Sequence, residues 1–247
     1  MHAQITLLRK TMCLLSRRVA SPRDDQGFYV LNAVIENLGY DVISPFMGHI
    51  WVSLFNWLQQ GRKGKFLKNL VIFMSLFLVK HGLQNLVVSM NAVPKGVFQT
   101  IVEQFWVPNL KLITGSVELK LTSVASTKLI CESSTLLDSK VRGKMLNSFV
   151  TLLSRPEEER VLEEPDVPDF GETVGYNATF VHLYNAGKKE EDPLKEVNYP
   201  KQYLVASLAN LAALSPGTYP QLIRENLEAA NQAALLQLCS SYNLSIV

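Results

Sequence analysis

Between Ser139 and Ser154 the apolar residues Val141, Met145, Leu146, Phe149, Leu152 and Leu153 recur at the three-and-four spacing of one helix face. Lys140, Arg142, Lys144, Asn147 and Thr151 fall on the opposite side. The stretch from Ser116 to Glu132 repeats the pattern, with Val117, Leu121, Val124, Ala125 and Leu129 on one stripe. Read this way, the spacing predicts helices over 5–19, 22–38, 45–60, 65–81, 94–113, 116–133 and 139–154, with a shorter one over 83–90. After a long break, three more are predicted over 199–214, 219–225 and 227–242. Ser21-Pro22 and Ser44-Pro45 read as helix starts, a capping hydroxyl followed by a proline at the first helical position. Breaks are placed at Gly39, Gly61, Gly82, Gly115 and Pro156. Pro108 removes a backbone donor inside its helix and is expected to bend it.

Pairing neighbours gives hairpins whose first helices begin near Ile5, Pro45, Pro94 and Ser139. Their spacing is close to that of HEAT repeats, which carry two helices per unit. One stripe per helix cannot offset the backbone entropy of ordering a lone hairpin, so each unit needs neighbours on both sides. Helix 65–81 fits, since Phe66, Leu67, Leu70, Val71, Phe73, Met74, Phe77 and Leu78 surround most of its circumference. The expected fold class is therefore all-α, an α-solenoid of HEAT-type helical hairpins. Residues 1–247 form one array, interrupted over 156–198 by an acidic insertion.

Composition supports a helical core. Of 247 residues, 47% are hydrophobic, and only 13 Gly and 11 Pro punctuate them, few for many short strands. Cys13, Cys131 and Cys239 are too few and too scattered for a disulfide framework, which suits a reducing compartment. The apolar run Leu70 to Val79, bracketed by Lys65, Lys68 and Lys80, is half the length a bilayer requires. It reads as a buried helix in a soluble protein, with no membrane insertion. The net charge of +2 conceals an asymmetry: residues 1–155 hold 18 Lys/Arg against 8 Asp/Glu, and residues 156–198 hold 4 against 12. In the insertion, Pro156, Pro165, Pro168 and Pro193 forbid long helices. Its island Gly175 to Gly187, with Tyr176, Phe180, Val181, Leu183 and Tyr184, is apolar enough to dock back on the array.

No catalytic or metal constellation emerges. His2, His49, His81 and His182 are isolated, and His49 and His81 read as helix-face or helix-end residues. Gly61-Arg62-Lys63-Gly64-Lys65-Phe66 lacks both the spacing and the hydroxyl of a phosphate loop. The protein reads as a non-enzyme with no cofactor. Arg9, Lys10, Arg17, Arg18, Arg23, Arg62, Lys63, Lys65 and Lys68 form a basic set without interleaved exposed aromatics, so no nucleic-acid partner is expected. The candidate partner-binding residues are the acids Glu157, Glu158, Glu159, Glu163, Glu164, Asp166 and Asp169, an electrostatic lure for a basic partner.

Several tracts then resemble one family. They are Asp25-Gln26-Gly27-Phe28-Tyr29-Val30-Leu31-Asn32, Lys65-Phe66-Leu67-Lys68 leading to Val79-Lys80-His81-Gly82, and Gly115-Ser116-Val117-Glu118-Leu119-Lys120. The most specific is Gly175-Tyr176-Asn177-Ala178-Thr179-Phe180, continuing to Asp192-Pro193. Together they resemble the C-terminal part of the exportin-2 (CAS) family of importin-β-like karyopherins, in wording similar to a plant or other non-animal homologue. The resemblance implies a HEAT solenoid that carries importin-α out of the nucleus together with Ran-GTP and shuttles between nucleus and cytoplasm. It implies too that Ran-GTP is held mainly by an N-terminal part absent from this chain. The competing expectation is a HEAT-repeat scaffold for protein assembly with no transport role.

Overall fold

In the computed structural model, residues 24–61, 64–93, 96–133, 136–156 and 192–246 are described. All their regular elements are helical. They are α1 (Asp24–Asn37), α2 (Tyr40–Gln59), α3 (Gly64–His81), α4 (Leu83–Asn91), an irregular α5, α6 (Ser116–Glu132), α7 (Ser139–Leu153), α8 (Pro200–Leu214), α9 (Thr218–Asn226) and α10 (Ala229–Ser241). The expected helix over 5–19, the Ser21-Pro22 start and the island Gly175 to Gly187 lie outside the described residues.

The helices stack in two layers. One layer runs α1, α3, α6, α8, each against the next. The other runs α2, α4, α5, α7, and α9 and α10 close its end by packing on both α7 and α8. Consecutive helices α2 and α3 meet through ring contacts, α3–α4, α6–α7 and α8–α9 pack directly, a short turn joins α5 to α6, and α4 is wedged between α2 and α5. A single hydrophobic core runs from Phe28 to Cys239. The architecture is an α-solenoid.

Ring contacts set the direction of the first helices. Trp57 meets Phe66 at 5.8 Å, Trp51 meets Phe73 at 5.5 Å, and Tyr40 meets His81 at 6.0 Å. The numbering falls along α2 as it rises along α3, so the pair is antiparallel. Phe28 contacts Phe66 and Phe73, and the Ile35 carbonyl lies beside the His81 ring. Here both numberings rise together, as they must between second helices of successive hairpins. Trp51 is completely buried, and its Nε1–H donates to Ser89 Oγ on α4 at 3.0 Å, so its one polar group is satisfied.

α3 buries nine consecutive residues, Leu70 to Leu78, because α1, α4, α5 and α6 all pack on it. The apolar run read as too short for a membrane is this helix. No described helix is long and apolar enough to cross a membrane. α3 ends at Gly82, whose φ of +85° and ψ of 158° lie in a region almost exclusive to glycine. Gly82 N–H closes α3 on the Leu78 carbonyl, and its own carbonyl takes the Leu86 N–H to open α4.

Three elements differ from expectation. α2 starts at Tyr40 and not at Pro45, so Ser44-Pro45 is no start signal. Gly39 is the extended residue before the helix, and Asp41 supplies an acid in the first turn, where the helix dipole favours one. Pro45 is tolerated within the helix because it and Asp41 are exposed, leaving the freed Asp41 carbonyl open to solvent, with Ser44 Oγ 3.5 Å away. α5 is irregular: Val97–Ile101 is α-helical, Val102–Trp106 is a π turn, Val107–Asn109 is α-helical again, and Leu110–Leu112 ends as a 3-10 turn. The π turn lies directly before Pro108, where the regular ladder would fail for want of an N–H. α6 is not amphipathic as the stripe suggested. It buries Leu121 to Thr127 without a break, including Thr122, Ser123, Ser126 and Thr127, while Val117 stays half-exposed. α3 and α8 flank it, so its hydroxyl-bearing positions face protein.

Two predictions follow from the aromatic joint. Trp51→Ala should lower the free energy of unfolding by about 3–5 kcal/mol, measured by urea titration. His81, half-buried beside Tyr40 and Phe77, has its pKa lowered by burial, with Lys80 adding to the effect. The folded state therefore binds this proton less well than the unfolded chain. Its contribution is complete above the ordinary value of about 6.5 and is lost as pH falls through the lower folded value. The urea midpoint should drop between about pH 7 and 5, and His81→Gln should flatten that drop.

Candidate interaction surface at the root of the acidic segment

The seven acids proposed to meet a partner, Glu157 to Asp169, lie outside the described residues. The structure does show where the chain leaves the array for that segment and where it returns. α7 delivers the chain to Pro156, and Arg155 Nη1 donates to the Lys111 carbonyl at 2.7 Å. That carbonyl belongs to the closing 3-10 turn of α5, where the negative end of the helix suits a guanidinium. On return, Asp192 Oδ2 receives Lys120 Nζ of α6 at 2.5 Å, and Asp192 Oδ1 receives the Leu194 N–H at 2.8 Å. Leu194 packs against the core, and the chain then turns into α8. Both roots are thus pinned to the α5–α6 hairpin.

The same edge is laced by charge. Lys68 of α3 pairs with Glu118 of α6 at 3.0 Å, one step from the Lys120–Asp192 pair, so ion pairs link three successive positions of the second-helix layer. In the first-helix layer, Gln99 Nε2 donates to Asp138 Oδ2 at 2.6 Å and Lys144 Nζ to Glu103 Oε1 at 2.7 Å. With Arg155 on Lys111, these three links run in step along α5 and α7, so those helices are parallel. At the far end Asn231 of α10, itself buried, donates to Asn147 Oδ1 at 2.7 Å and Thr151 Oγ1 at 2.8 Å on α7. Gly143 of α7 permits α9 to approach, since a Cβ there would lie 2.3 Å from the Cβ of Asn226.

Of the basic residues singled out in the sequence, Lys65 and Lys68 are described, and Lys68 is committed to Glu118. His49 is exposed on α2 and His81 ends α3, as read from the sequence. Among the described residues no group of three or more His, Cys, Asp and Glu is arranged to hold a metal. Burial pushes the Cys131 thiol up to about 12, with the Glu132 charge adding to it and Arg142 opposing. Burial raises Cys239 as well. Neither thiol is a nucleophile near neutral pH. What this edge offers is a charged rim, on which the described residues flanking the acidic segment are anchored. Lys120, Asp192, Arg155 and Lys111 were not singled out from the sequence, because the partners lie 44 and 72 positions apart. The Asp192-Pro193 dipeptide, a turn-initiating pair, was the one local sign.

The Lys120 hydrogen bond holds the Asp192 carboxyl below the usual carboxylate range. Its stabilising effect is therefore present above about pH 4 and lost as pH falls through the lower folded value. Asp192→Asn should leave global stability within ~1 kcal/mol, since the pair with Lys120 is only partly buried and still reached by solvent. It should nevertheless speed proteolytic cleavage of 192–199 severalfold in a timed trypsin digest, because the return strand loses its anchor.

The comparisons with known proteins agree with this architecture. Exportin-2 of Xenopus laevis is 33% identical over 221 residues, covering 87% of this chain and 23% of that protein. Exportin-2 of Homo sapiens is 32% identical over the same length and coverage. The solved structure of the exportin Cse1 in its cargo-free, cytoplasmic state superposes with a TM-score of 0.73 at 22% sequence identity, covering 92% of this chain and 23% of that one. The chain thus spans about a quarter of the length of these relatives. The family model described as "CAS/CSE protein, C-terminus" matches residues 6–238, and the chain belongs to that family.

Proposed function

We propose that this chain is the C-terminal segment of a nuclear export receptor and helps it bind importin-α cooperatively with Ran-GTP, returning importin-α to the cytoplasm. The observation that carries the reading is the match of residues 6–238 to the CAS/CSE C-terminus, in relatives named exportin-2. The solenoid supplies a physical route. Each hairpin contacts only its neighbours, so small rotations between hairpins add up to a change of curvature. Two ligands that favour the same curvature bind cooperatively, each through its differential affinity for the two states. In this reading the segment forms part of the arch around the cargo, Ran-GTP is bound mainly by the preceding part of the receptor, and the receptor shuttles between nucleus and cytoplasm. A full-length receptor should capture importin-α from solution far better with Ran-GTP than with Ran-GDP. Equal capture in both nucleotide states contradicts the reading and favours a scaffold.

Within that function, Glu157, Glu158, Glu159, Glu163, Glu164, Asp166 and Asp169 are proposed to steer a basic partner toward the edge of the α5–α6 hairpin. The anchoring of the flanking residues Arg155 on Lys111 and Asp192 on Lys120 supports this, since both ends of the segment start from that hairpin. Long-range charge acts chiefly on encounter rate, and each exposed pair adds only ~0–1 kcal/mol to affinity. Changing all seven to Ser in the full-length receptor should slow importin-α association about threefold or more at low salt, with the gap closing at moderate salt. Association unchanged at both salts removes these acids from the binding account.

A further inference from the structure

Among the described residues, one hairpin concentrates the buried polar atoms without a hydrogen-bond partner. Trp106 Nε1 on α5, Thr114 Oγ1 in the turn, and Thr122 Oγ1, Ser123 Oγ and Ser126 Oγ on α6 are all buried without a hydrogen-bond partner. Elsewhere among the described residues only Asn32 Oδ1, His81 Nε2 and Arg142 Nε share that condition; Glu118 Oε2 is held by Lys68. Buried polar groups are nearly always paired, so five within 21 residues call for an explanation. α5 adds the π turn before Pro108, a second local departure from a regular ladder.

The hydrogen bonds that fix α6 to its layer are confined to its N-terminal rim, Lys68–Glu118 toward α3 and Lys120–Asp192 toward the strand entering α8. The buried middle, Leu121 to Thr127, consists of small and medium side chains, and Thr127 Oγ1 bonds only its own helix at the Ser123 carbonyl. α5, by contrast, is tied to α7 by three polar links along its length. α5 is latched to α7 by polar links, while α6 meets α3, α7 and α8 through packing beyond its N-terminal pairs. Smooth, tightly packed helix faces are the kind that slide by small shear steps.

We propose that the α5–α6 hairpin is the joint at which the array changes curvature, with α6 sliding between α3 and α8 while α5 stays fixed to α7. The orphaned hydroxyls bias the joint: they penalise the present arrangement and gain partners when α6 shifts, which brings a second arrangement within thermal reach. This claim concerns the array alone and stands or falls independently of the transport reading.

The test places spin labels, carried by unnatural amino acids so that the native cysteines stay, at exposed Gln84 and Gln237 on opposite sides of the joint. A second pair at exposed Asn56 and Gln84 lies wholly on one side. In the 247-residue chain the 84–237 distance distribution should be broad or double, and the 56–84 distribution narrow. The triple variant Thr122→Val, Ser123→Ala, Ser126→Ala should narrow the 84–237 distribution about twofold and leave the other unchanged. Equal 84–237 widths in the two proteins overturn the proposal. Should the variant fail to fold, native-state hydrogen exchange on the unaltered chain decides. Amides of α6 should exchange about tenfold faster than those of equally buried α3, and equal protection overturns the joint.

Discussion

Every side of α3 must be covered by another helix, and that requirement organises the rest of the molecule. Nine successive buried residues, Leu70 to Leu78, leave α3 no solvent face in its middle, so no single partner can satisfy it. α1 and α6 cover it within its layer, and α4 and α5 cover it from the other. α6 then faces the same demand and meets it with α8. Each hairpin thereby depends on the next, and the chain extends as a stack whose ends need closing. α9 and α10 close the end beyond α7 and α8, fixed through Asn231 on Asn147 and through the close approach that Gly143 allows.

Polar contacts have a different task. The buried seam is apolar and non-directional, so it specifies stacking more strongly than register. Register is written at the rim, where Gln99–Asp138, Glu103–Lys144, Arg155–Lys111, Lys68–Glu118 and Lys120–Asp192 each join neighbouring units. Exposed pairs of this kind contribute little stability and are sensitive to salt. A stack held by a greasy seam and indexed by weak rim contacts can flex without coming apart. The residues that flank the acidic segment, Arg155 and Asp192, are anchored on this rim.

Much of this was legible in the residues. The ten-residue apolar run in α3, the stripe of α7 and the glycine breaks at Gly39, Gly61, Gly82 and Gly115 marked hairpins whose bounds the structure reproduces within a few residues. The start of α2 was misplaced because Ser44-Pro45 has the composition of a helix start, yet an exposed proline early in a helix leaves its orphaned carbonyl to water. α6 hid its burial because serine and threonine read as polar, and their small size is what lets α3 and α8 close on it. The rim pairs were illegible for a plainer reason. Charged partners separated by dozens of residues have no spacing signature, and only the stacked hairpins bring them together. The acids Glu157 to Asp169 stood out by charge density alone, which gives a location along the chain and no geometry.

The central claim is that one continuous apolar seam unites the array from α1 to α10, and it can be tested at a distance. Leu208 of α8 is fully buried, while all three tryptophans, Trp51, Trp57 and Trp106, lie in α2 and α5, outside the helices α6, α9 and α10 that pack most on α8. Leu208→Ala should cost about 2–5 kcal/mol locally. With a single seam, urea unfolding followed by tryptophan fluorescence shifts to lower denaturant by the same amount as the loss of helical circular dichroism, and the two curves coincide. A fluorescence midpoint that stays in place while part of the helical signal melts early would show that the two ends of the array fold independently, and would contradict the account.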